Sequence, residues 1–409
     1  MGVTTKRSSA TGFKFILAPA KNLFRGDRVG KANLLCTFVQ REHCGAMRLV
    51  DLFCGSGGFS RGAHQAGFNV EAAFDIDPIL TSSYNHNFPR TKLLLRDVAQ
   101  LDGTTLEGLA GGLVDGIFGG PPCQGFSDMG RKDPTDIRRK LLGHFFRIVA
   151  EVEPTFFVME NVRGLIFSHS KGELDAALEL VKDRYHVLDP RVWDASQFGA
   201  ATRRNRVFVI GIHKDRADPF TLEDLAAWKK PAATVQNAIS DLQGAEYVGE
   251  EDGFDIWRTK SNGRPSSYAS RLRTDSGLFT GHRATAHAEK TVERFSTVLP
   301  GQMDKVGRHP RLDWCGQCPT LRAGTGVEKG SYQAVRPIHP DHNRVITVRE
   351  AARLQGFPDA HRFHRTVWHS FRMIGNSVSP IMAEAIFRAI NAKLYGVGSR
   401  EAGYAQAAE

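Results

Sequence analysis

The sequence predicts an α/β protein, an open sheet with helices on both faces followed by a smaller, irregular region. Three observations carry this. Between Met47 and about residue 230, short apolar runs alternate with amphipathic ones. The apolar runs are continuous, as strands of a parallel sheet covered on both sides require. Beyond residue 230 the periodicity fades, and residues 243–343 are rich in Gly, Arg, His and Ser.

The elements follow in order. Residues 48–53 read as a buried strand, and after a glycine turn residues 59–66 read as a helix stopped by Gly67. Residues 69–75 form a second strand. Pro78 is expected to open the next helix, where its missing N–H costs nothing. Residues 92–95 and 114–118 are the third and fourth strands. Residues 144–152 are helical, ended by Pro154, and residues 155–159 are the fifth strand. A helix at 173–183 and strands at 185–188 and 206–212 complete the first region. Helical signal returns at 348–355, and 379–395 is an amphipathic helix closing the pattern. There are no internal repeats.

Composition bounds the function. The 409 residues are enough for two domains, and 41% hydrophobic with 24% charged content is ordinary for a globular chain. No apolar run is long enough to span a bilayer as a helix. The net charge of +10 is concentrated in two blocks. Residues 1–46 hold eight Lys/Arg against two Asp/Glu, residues 258–345 hold fifteen against seven, and the remainder is slightly acidic. A solvated basic face is one reading. Two basic blocks on an acidic background favour the other, a polyanionic partner such as nucleic acid. The six cysteines show no disulfide framework, which points to a reducing compartment. The leader 1–46 has no period and is basic and acid-poor, as transit peptides are. Because Met47 directly precedes the first strand, the leader reads as a disordered tail or an over-extended start.

Candidate chemistry gathers at the strand ends. Asp51-Leu-Phe53-Cys-Gly55-Ser-Gly57-Gly58 follows a strand and opens a helix, so a ligand can approach its backbone closely. Asp75 ends the next strand, 20 residues after Gly55, the spacing of a carboxylate that grips a ribose. Asp97 ends the third strand and could reach an adenine. The glycine pattern is not G-x-G-x-x-G, which argues against a pyrophosphate. Pro121-Pro122-Cys123 follows the fourth strand, where ligands sit in an open α/β sheet. A lone cysteine is more often a packing residue, but the rigid Gly119-Gly-Pro-Pro frame speaks for a nucleophile. Glu160 ends the fifth strand beside that loop. Arg203-Arg204-Asn205-Arg206 precedes another strand, and alternation would point Arg204 and Arg206 to one face.

Together these segments resemble the cytosine-C5 DNA methyltransferase family. Pro-Pro-Cys-Gln at 121–124, Glu-Asn-Val at 160–162, Arg-Leu-Gln-Gly-Phe-Pro at 353–358 and Gly-Asn-Ser-Val at 375–378 stand in the family order, within a match spanning 47 to about 395. The resemblance implies a Rossmann-like, S-adenosylmethionine-dependent methyltransferase sheet with a smaller, irregular target-recognition domain. The catalytic domain would comprise 47–232 and 372–397, the recognition domain 233–371, with a tail at 398–409. Phe53, Gly55, Gly57, Gly58, Asp75, Ile76, Asp97, Val98 and Pro122 would line the S-adenosylmethionine site. Asn376, Ser377 and Val378 would complete it, so the last helix would pack back on the first domain. Cys123, Glu160, Arg204 and Arg206 would be catalytic, and Thr320 and Leu321 would belong to target recognition. No metal is implied. One departure is Thr202, where many relatives carry Gln.

The implied chemistry needs these residue types. A Cys123 thiolate adding to C6 of cytosine turns C5 into an enamine carbon. Glu160 would supply a proton at N3, and Arg206 with Arg204 would hold O2 and orient Glu160. The cytosine would be flipped out of duplex DNA, with phosphates held by the 258–345 block. The implied enzyme is a monomer in the cytoplasm, associated with the nucleoid, with a cognate restriction endonuclease, if present, acting separately. A transfer-RNA methyltransferase of the same family is the first rival, disfavoured by the size of the recognition block. Cys315-Gly-Gln-Cys318-Pro319 also resembles a thioredoxin motif, or half a zinc site completed by His309, but lies in an irregular segment. A non-catalytic binding module is opposed by the full set of catalytic side chains. Deleting residues 1–46 is expected to leave methylation intact; loss of soluble, folded protein on that deletion would show the leader to be structural.

Overall fold

The computed structural model describes residues 47–122, 140–260, 264–324 and 335–396, all within one compact unit. Its main sheet contains β1 (Arg48–Leu52), β2 (Asn69–Asp75), β3 (Lys92–Leu95), β4 (Gly116–Gly119), β5 (Phe156–Asn161), β6 (Tyr185–Asp194) and β7 (Asn205–His213). The order is β3-β2-β1-β4-β5-β7-β6. Strands β3 to β5 are mutually parallel. Strand β7 is antiparallel to both of its neighbours, which corrects the expectation of a wholly parallel sheet. The cause is the connection: the ten residues between β6 and β7 are too few for a crossover helix, so the chain turns straight back. Strand β6 extends past the expected residue 188 to Asp194 and includes Pro190. It is an edge strand with a register shift between Leu188 and Arg191, where a missing N–H is tolerated.

The helices are α1 (Gly58–Gln65), α2 (Tyr84–Asn87), α3 (Gly103–Ala110), α4 (Lys140–Val152), α5 (Ser168–Leu178), α6 (Leu222–Ala226), α7 (Val235–Ile239), α8 (Ser267–Leu272), α9 (Glu289–Ser296), α10 (Val348–Gln355), α11 (Val367–Asn376) and α12 (Pro380–Tyr395). Pro78 does not open a helix. The Asp77 carboxylate accepts the Ile79 and Leu80 amides at 2.9 and 3.0 Å, holding this stretch in turns, and only Tyr84–Asn87 is helical. Helix α5 likewise starts and stops about five residues earlier than its apolar pattern suggests.

Strand alternation sends successive β1 side chains to opposite faces. Leu49 joins Phe59, Phe118, Ile386 and Phe387 on one side. Val50 and Leu52 join Phe74, Phe145, Phe146 and Phe157 on the other. The first of these cores contains α12, so the final helix does pack back on the first region. It lies close against α1: a Cβ at Gly62 would sit 2.3 Å from the Ala383 Cβ and 2.6 Å from the Glu384 nitrogen.

The later region is built on a three-stranded antiparallel sheet of β8 (Glu246–Glu251), β9 (Phe254–Arg258) and β10 (Leu278–Thr280). Its core contains Val235, Ile239, Phe279, Leu312, Leu354, Phe357 and Phe371, and also Ala201 and Ile374 from either side of the expected limits. Helix α10 is buried along its whole length, charged residues included. Arg353 donates twice to Asp359 at 2.6 Å, and Arg349 donates to the carbonyls of Thr280, Pro358 and His361. Burial alone would push Glu350 up, but two bonds from Arg344 overcome this and hold its carboxyl at about 2. The Arg-Leu-Gln-Gly-Phe-Pro motif is therefore a structural anchor made of compensated buried charge. Gly62→Ala is expected to cost about 1–3 kcal/mol through overpacking of α1 on α12, read as a lowered Tm; an unchanged Tm would mean that the two helices do not touch as described.

Candidate active site

In this sheet the strand order reverses between β1 and β4, and ligands bind at such a switch point. The turn after β1 has positive φ at Phe53 (67°), Gly55 (51°) and Gly57 (83°). Phe53 is strained there, as residues at ligand-binding turns often are. A Cβ on Gly57 would strike the Phe88 ring at 2.2 Å, and one on Gly58 the Val378 carbonyl at 2.4 Å. Gly55 is different: nothing lies within 4 Å of where its Cβ would be, so its backbone borders open space. Beside it, the Asp75 carboxylate accepts the Gly55 and Asp77 amides, each at 2.8 Å. Burial raises the Asp75 carboxyl, opposed by these amide bonds. Ile76 follows with 70% of its surface exposed, a large apolar side chain with no protein cover. Asp97 accepts the Ala99 amide at 2.9 Å, and Val98 is buried behind it.

The C-terminal segment closes this turn. Ser377 Oγ and Ser56 Oγ are 2.6 Å apart. Asn376 ends α11, and Gln355 Nε2 donates to the carbonyls of Ile374 and Ser377, both at 2.9 Å. Underneath, Ser60 donates to Asp51 at 2.5 Å and shares a 2.7 Å bond with Tyr84. Burial pushes the Asp51 carboxyl well up, opposed by the Ser60 bond. The supporting roles of Ser56, Ser60, Tyr84 and Gln355 escape sequence reading, because each is defined by a partner remote in the chain.

The turn after β4 forms the other half. Gly119 passes so close to β1 that a Cβ would lie 2.0 Å from the Leu52 carbonyl oxygen, and one on Gly120 would lie 3.1 Å from Glu160 Oε2. Asn161 Nδ2 donates to the Pro121 carbonyl at 3.2 Å, tying the proline turn to the end of β5. Pro122 is the last described residue of this turn; Cys123 lies outside the described residues. Glu160 is buried and pairs with Arg206, Oε1 to Nε, at 2.8 Å. Burial raises its carboxyl above the usual range, with Arg206 and then Arg204 opposing.

Arg204 and Arg206 both act on Glu160 but have different bonding partners. Arg206 lies in β7, but Arg204 precedes the strand, where alternation no longer holds. Fully buried, Arg204 donates to the Leu321 carbonyl at 3.2 Å and the Gly375 carbonyl at 2.8 Å. Thr320 Oγ1 donates to the Arg203 carbonyl at 2.6 Å, and Leu321 enters the later region's core. Thr202 also has a defined partner, donating to the Cys318 carbonyl at 3.2 Å. Cys318 is fully buried, and burial pushes its thiol well above the ordinary range, while Cys315 is exposed. A redox pair needs the opposite, a depressed and accessible thiol. Among the described residues no group of three or more His, Cys, Asp or Glu is placed to hold a metal.

Comparison with known proteins bears directly on this site. The family model for C-5 cytosine-specific DNA methylase matches residues 47–392. The chain belongs to that family. This C-5 cytosine-specific DNA methylase is 40% identical over 358 residues to the Type II methyltransferase M.XorII of Xanthomonas oryzae pv. oryzae, covering 82% of each chain. It is 31% identical to the Type II methyltransferase M.DdeI of Desulfomicrobium norvegicum, covering 84% of this chain and 88% of that one. A solved structure described as a DNA modification methyltransferase encoded within a prophage (E. coli) aligns with a TM-score of 0.74 at 38% identity, over 85% of this chain and 99% of that one. The S. pombe Dnmt2 methyltransferase shares the fold, with a TM-score of 0.55 at 16% identity over 85% and 98% of the two chains. The methylase is therefore an S-adenosylmethionine-dependent DNA (cytosine-5-)-methyltransferase. No helix among the described residues is long and apolar enough to cross a membrane.

Thiol reactivity follows from the burial. With the folded enzyme and iodoacetamide at neutral pH, Cys315 is expected to be alkylated while Cys54 and Cys318 are spared. Peptide mass spectrometry reads this directly, and rapid labelling of Cys318 would contradict its placement.

Proposed function

We propose that this enzyme methylates C5 of a cytosine flipped out of duplex DNA, within a specific sequence, through a covalent Cys123–C6 adduct. The observation that carries this is the buried Glu160–Arg206 pair beside the Gly120–Pro121 turn that leads into Cys123. The turn that leads to Cys123 and the Glu160 carboxyl thus leave adjacent strand ends.

The residues present fit S-adenosylmethionine. Open space at Gly55 suits close approach of a ligand to the backbone. Asp75 offers a carboxylate for ribose hydroxyls, exposed Ile76 an apolar face for the adenine, and Asp97 an acceptor for its amino group. Phe53, Gly57, Gly58, Val98, Pro122, Asn376, Ser377 and Val378 would complete the enclosure. S-adenosylmethionine, when bound, supplies an electrophilic methyl group.

The chain's own residues do the rest. Cys123, as thiolate, adds to C6, and the electron pair of the C5–C6 bond moves into the ring. Glu160 donates a proton or hydrogen bond at N3, which makes C6 electrophilic. Arg206 fixes Glu160 and is placed to hold O2; Arg204 contributes through its field on Glu160. C5 then takes the methyl group, a base removes the C5 proton, and the thiolate leaves. The base cannot be reached inside a stacked duplex, hence the flipping. The basic 258–345 block is assigned to phosphate and base-edge contacts, with Thr320 and Leu321 at its boundary with the site. The enzyme acts as a cytoplasmic, nucleoid-associated monomer and modifies DNA alone or beside a separate restriction endonuclease.

The sign of the pH dependence follows from Glu160. Its raised carboxyl keeps the proton below its pKa and loses it as pH rises through that value, so turnover falls on the alkaline side. Glu160→Gln is expected to lower kcat roughly 10²–10⁴-fold and to remove that limb. Cys123→Ser is expected to abolish transfer while S-adenosylhomocysteine still binds. Bisulfite sequencing of DNA from a host expressing the enzyme should show one methylated sequence context. Activity on transfer RNA alone, or turnover retained in Cys123→Ser, would overturn the reading.

A further inference from the structure

We infer that Arg204 is a positioning residue that couples cofactor binding to target engagement, and does not itself contact the cytosine. The inference rests on the proposed function for the identity of the two sites. Three chain segments converge on this one guanidinium. It arises just before β7, and its two donors span the Leu321 and Gly375 carbonyls. Leu321 belongs to the segment that borders the basic recognition block. Gly375 lies in the last turn of α11, immediately before the Asn376–Val378 cofactor turn.

The contacts around it leave little freedom. Cys318 pairs with the backbone of Ala201 and Arg203, at 2.9 Å in each direction. Thr320 then bonds the Arg203 carbonyl, and Arg204 bonds the Leu321 carbonyl. On the far side, Gly375 runs against the same segment so closely that a Cβ would meet the Ala323 nitrogen at 2.3 Å. Residues 318–323 are therefore held between the arginine motif and the end of α11. A cation at that helix C-terminus is favoured by the carbonyls it faces. Gln355 caps the neighbouring carbonyls of Ile374 and Ser377.

This geometry has a functional consequence. Movement of the Thr320–Leu321 segment when DNA binds must pull on Arg204, and through Gly375 on the cofactor turn. Coupling of this kind is reciprocal: whatever DNA does to cofactor affinity, the cofactor does to DNA affinity. Arg204 also contributes to the field on Glu160, so the same displacement is felt at the catalytic carboxyl. Arg204 is fully buried, with bonds to the Leu321 and Gly375 carbonyls, whereas Arg206 pairs with Glu160 itself.

The test is a binding cycle. The Kd of S-adenosylhomocysteine is measured calorimetrically on the whole enzyme, alone and with a duplex oligonucleotide carrying the sequence that bisulfite sequencing identifies. In the natural enzyme the duplex should tighten the Kd about 5–150-fold, the usual span of coupling between sites. Arg204→Lys should bring that factor close to unity, while affinity of the free enzyme for S-adenosylhomocysteine changes less than the coupling does. A purely structural role would lower Tm and weaken both measurements in parallel, leaving their ratio intact; that result overturns the inference. So does a natural enzyme that shows no coupling. If Arg204→Lys does not fold, Thr320→Val removes only the hydroxyl bond to Arg203 and should reduce the same ratio, and an unchanged ratio again overturns it. Failure of the functional reading is distinguishable, because bisulfite sequencing would then show no methylated context.

Discussion

A buried carboxyl, that of Glu160, is the constraint around which this site is built. Water would ionise Glu160, so the carboxyl is buried, and burial alone would leave a costly isolated group. Arg206 supplies a partner, and the balance still leaves the carboxyl raised. Space for it comes from Gly120, where a side chain would press on Oε2. Its place comes from β5, whose next residue, Asn161, binds the proline turn. The proline turn, the carboxyl and the arginine are thus held together at the ends of three different strands.

The cofactor side depends on close backbone approach. Gly57 and Gly58 are needed because Phe88 and Val378 occupy the room their side chains would take. Gly55 is needed for the opposite reason, that its surroundings stay open. The last turn of α11 and the segment after it press on this loop from the remote end of the chain, fixed by Gln355 within the buried α10. The buried charges of this Arg- and Glu-rich helix are spent on holding the carbonyls and carboxylates of neighbouring loops.

Much of this was legible in the sequence. Asn69–Asp75 and Lys92–Leu95 were readable to the residue, because apolar runs bounded by turn residues mark buried strands well. The 20-residue spacing after Gly55 pointed to Asp75, which the structure places on the Gly55 amide, and the strand pattern put Glu160 at the end of β5. What was illegible shares one cause. The reversal of β7, the side chain of Arg204 and the Ser60–Tyr84 support depend on contacts between residues far apart in the chain. Pro78 misled for a local reason, since its helix-starting geometry lost to the Asp77 carboxylate.

One contact described above also sets a clock. Ser56 and Ser377 are 321 residues apart yet share a hydrogen bond at the glycine loop. At about 5–20 residues per second, the ribosome needs roughly 15–60 s to supply the second after the first. Until then the glycine loop lacks its cover and α1 lacks α12, so the first half of the sheet waits with an apolar face exposed. Such long-range closure is slow and open to aggregation. It also means that a nascent chain cannot cover its glycine loop before the later three-stranded sheet has been made.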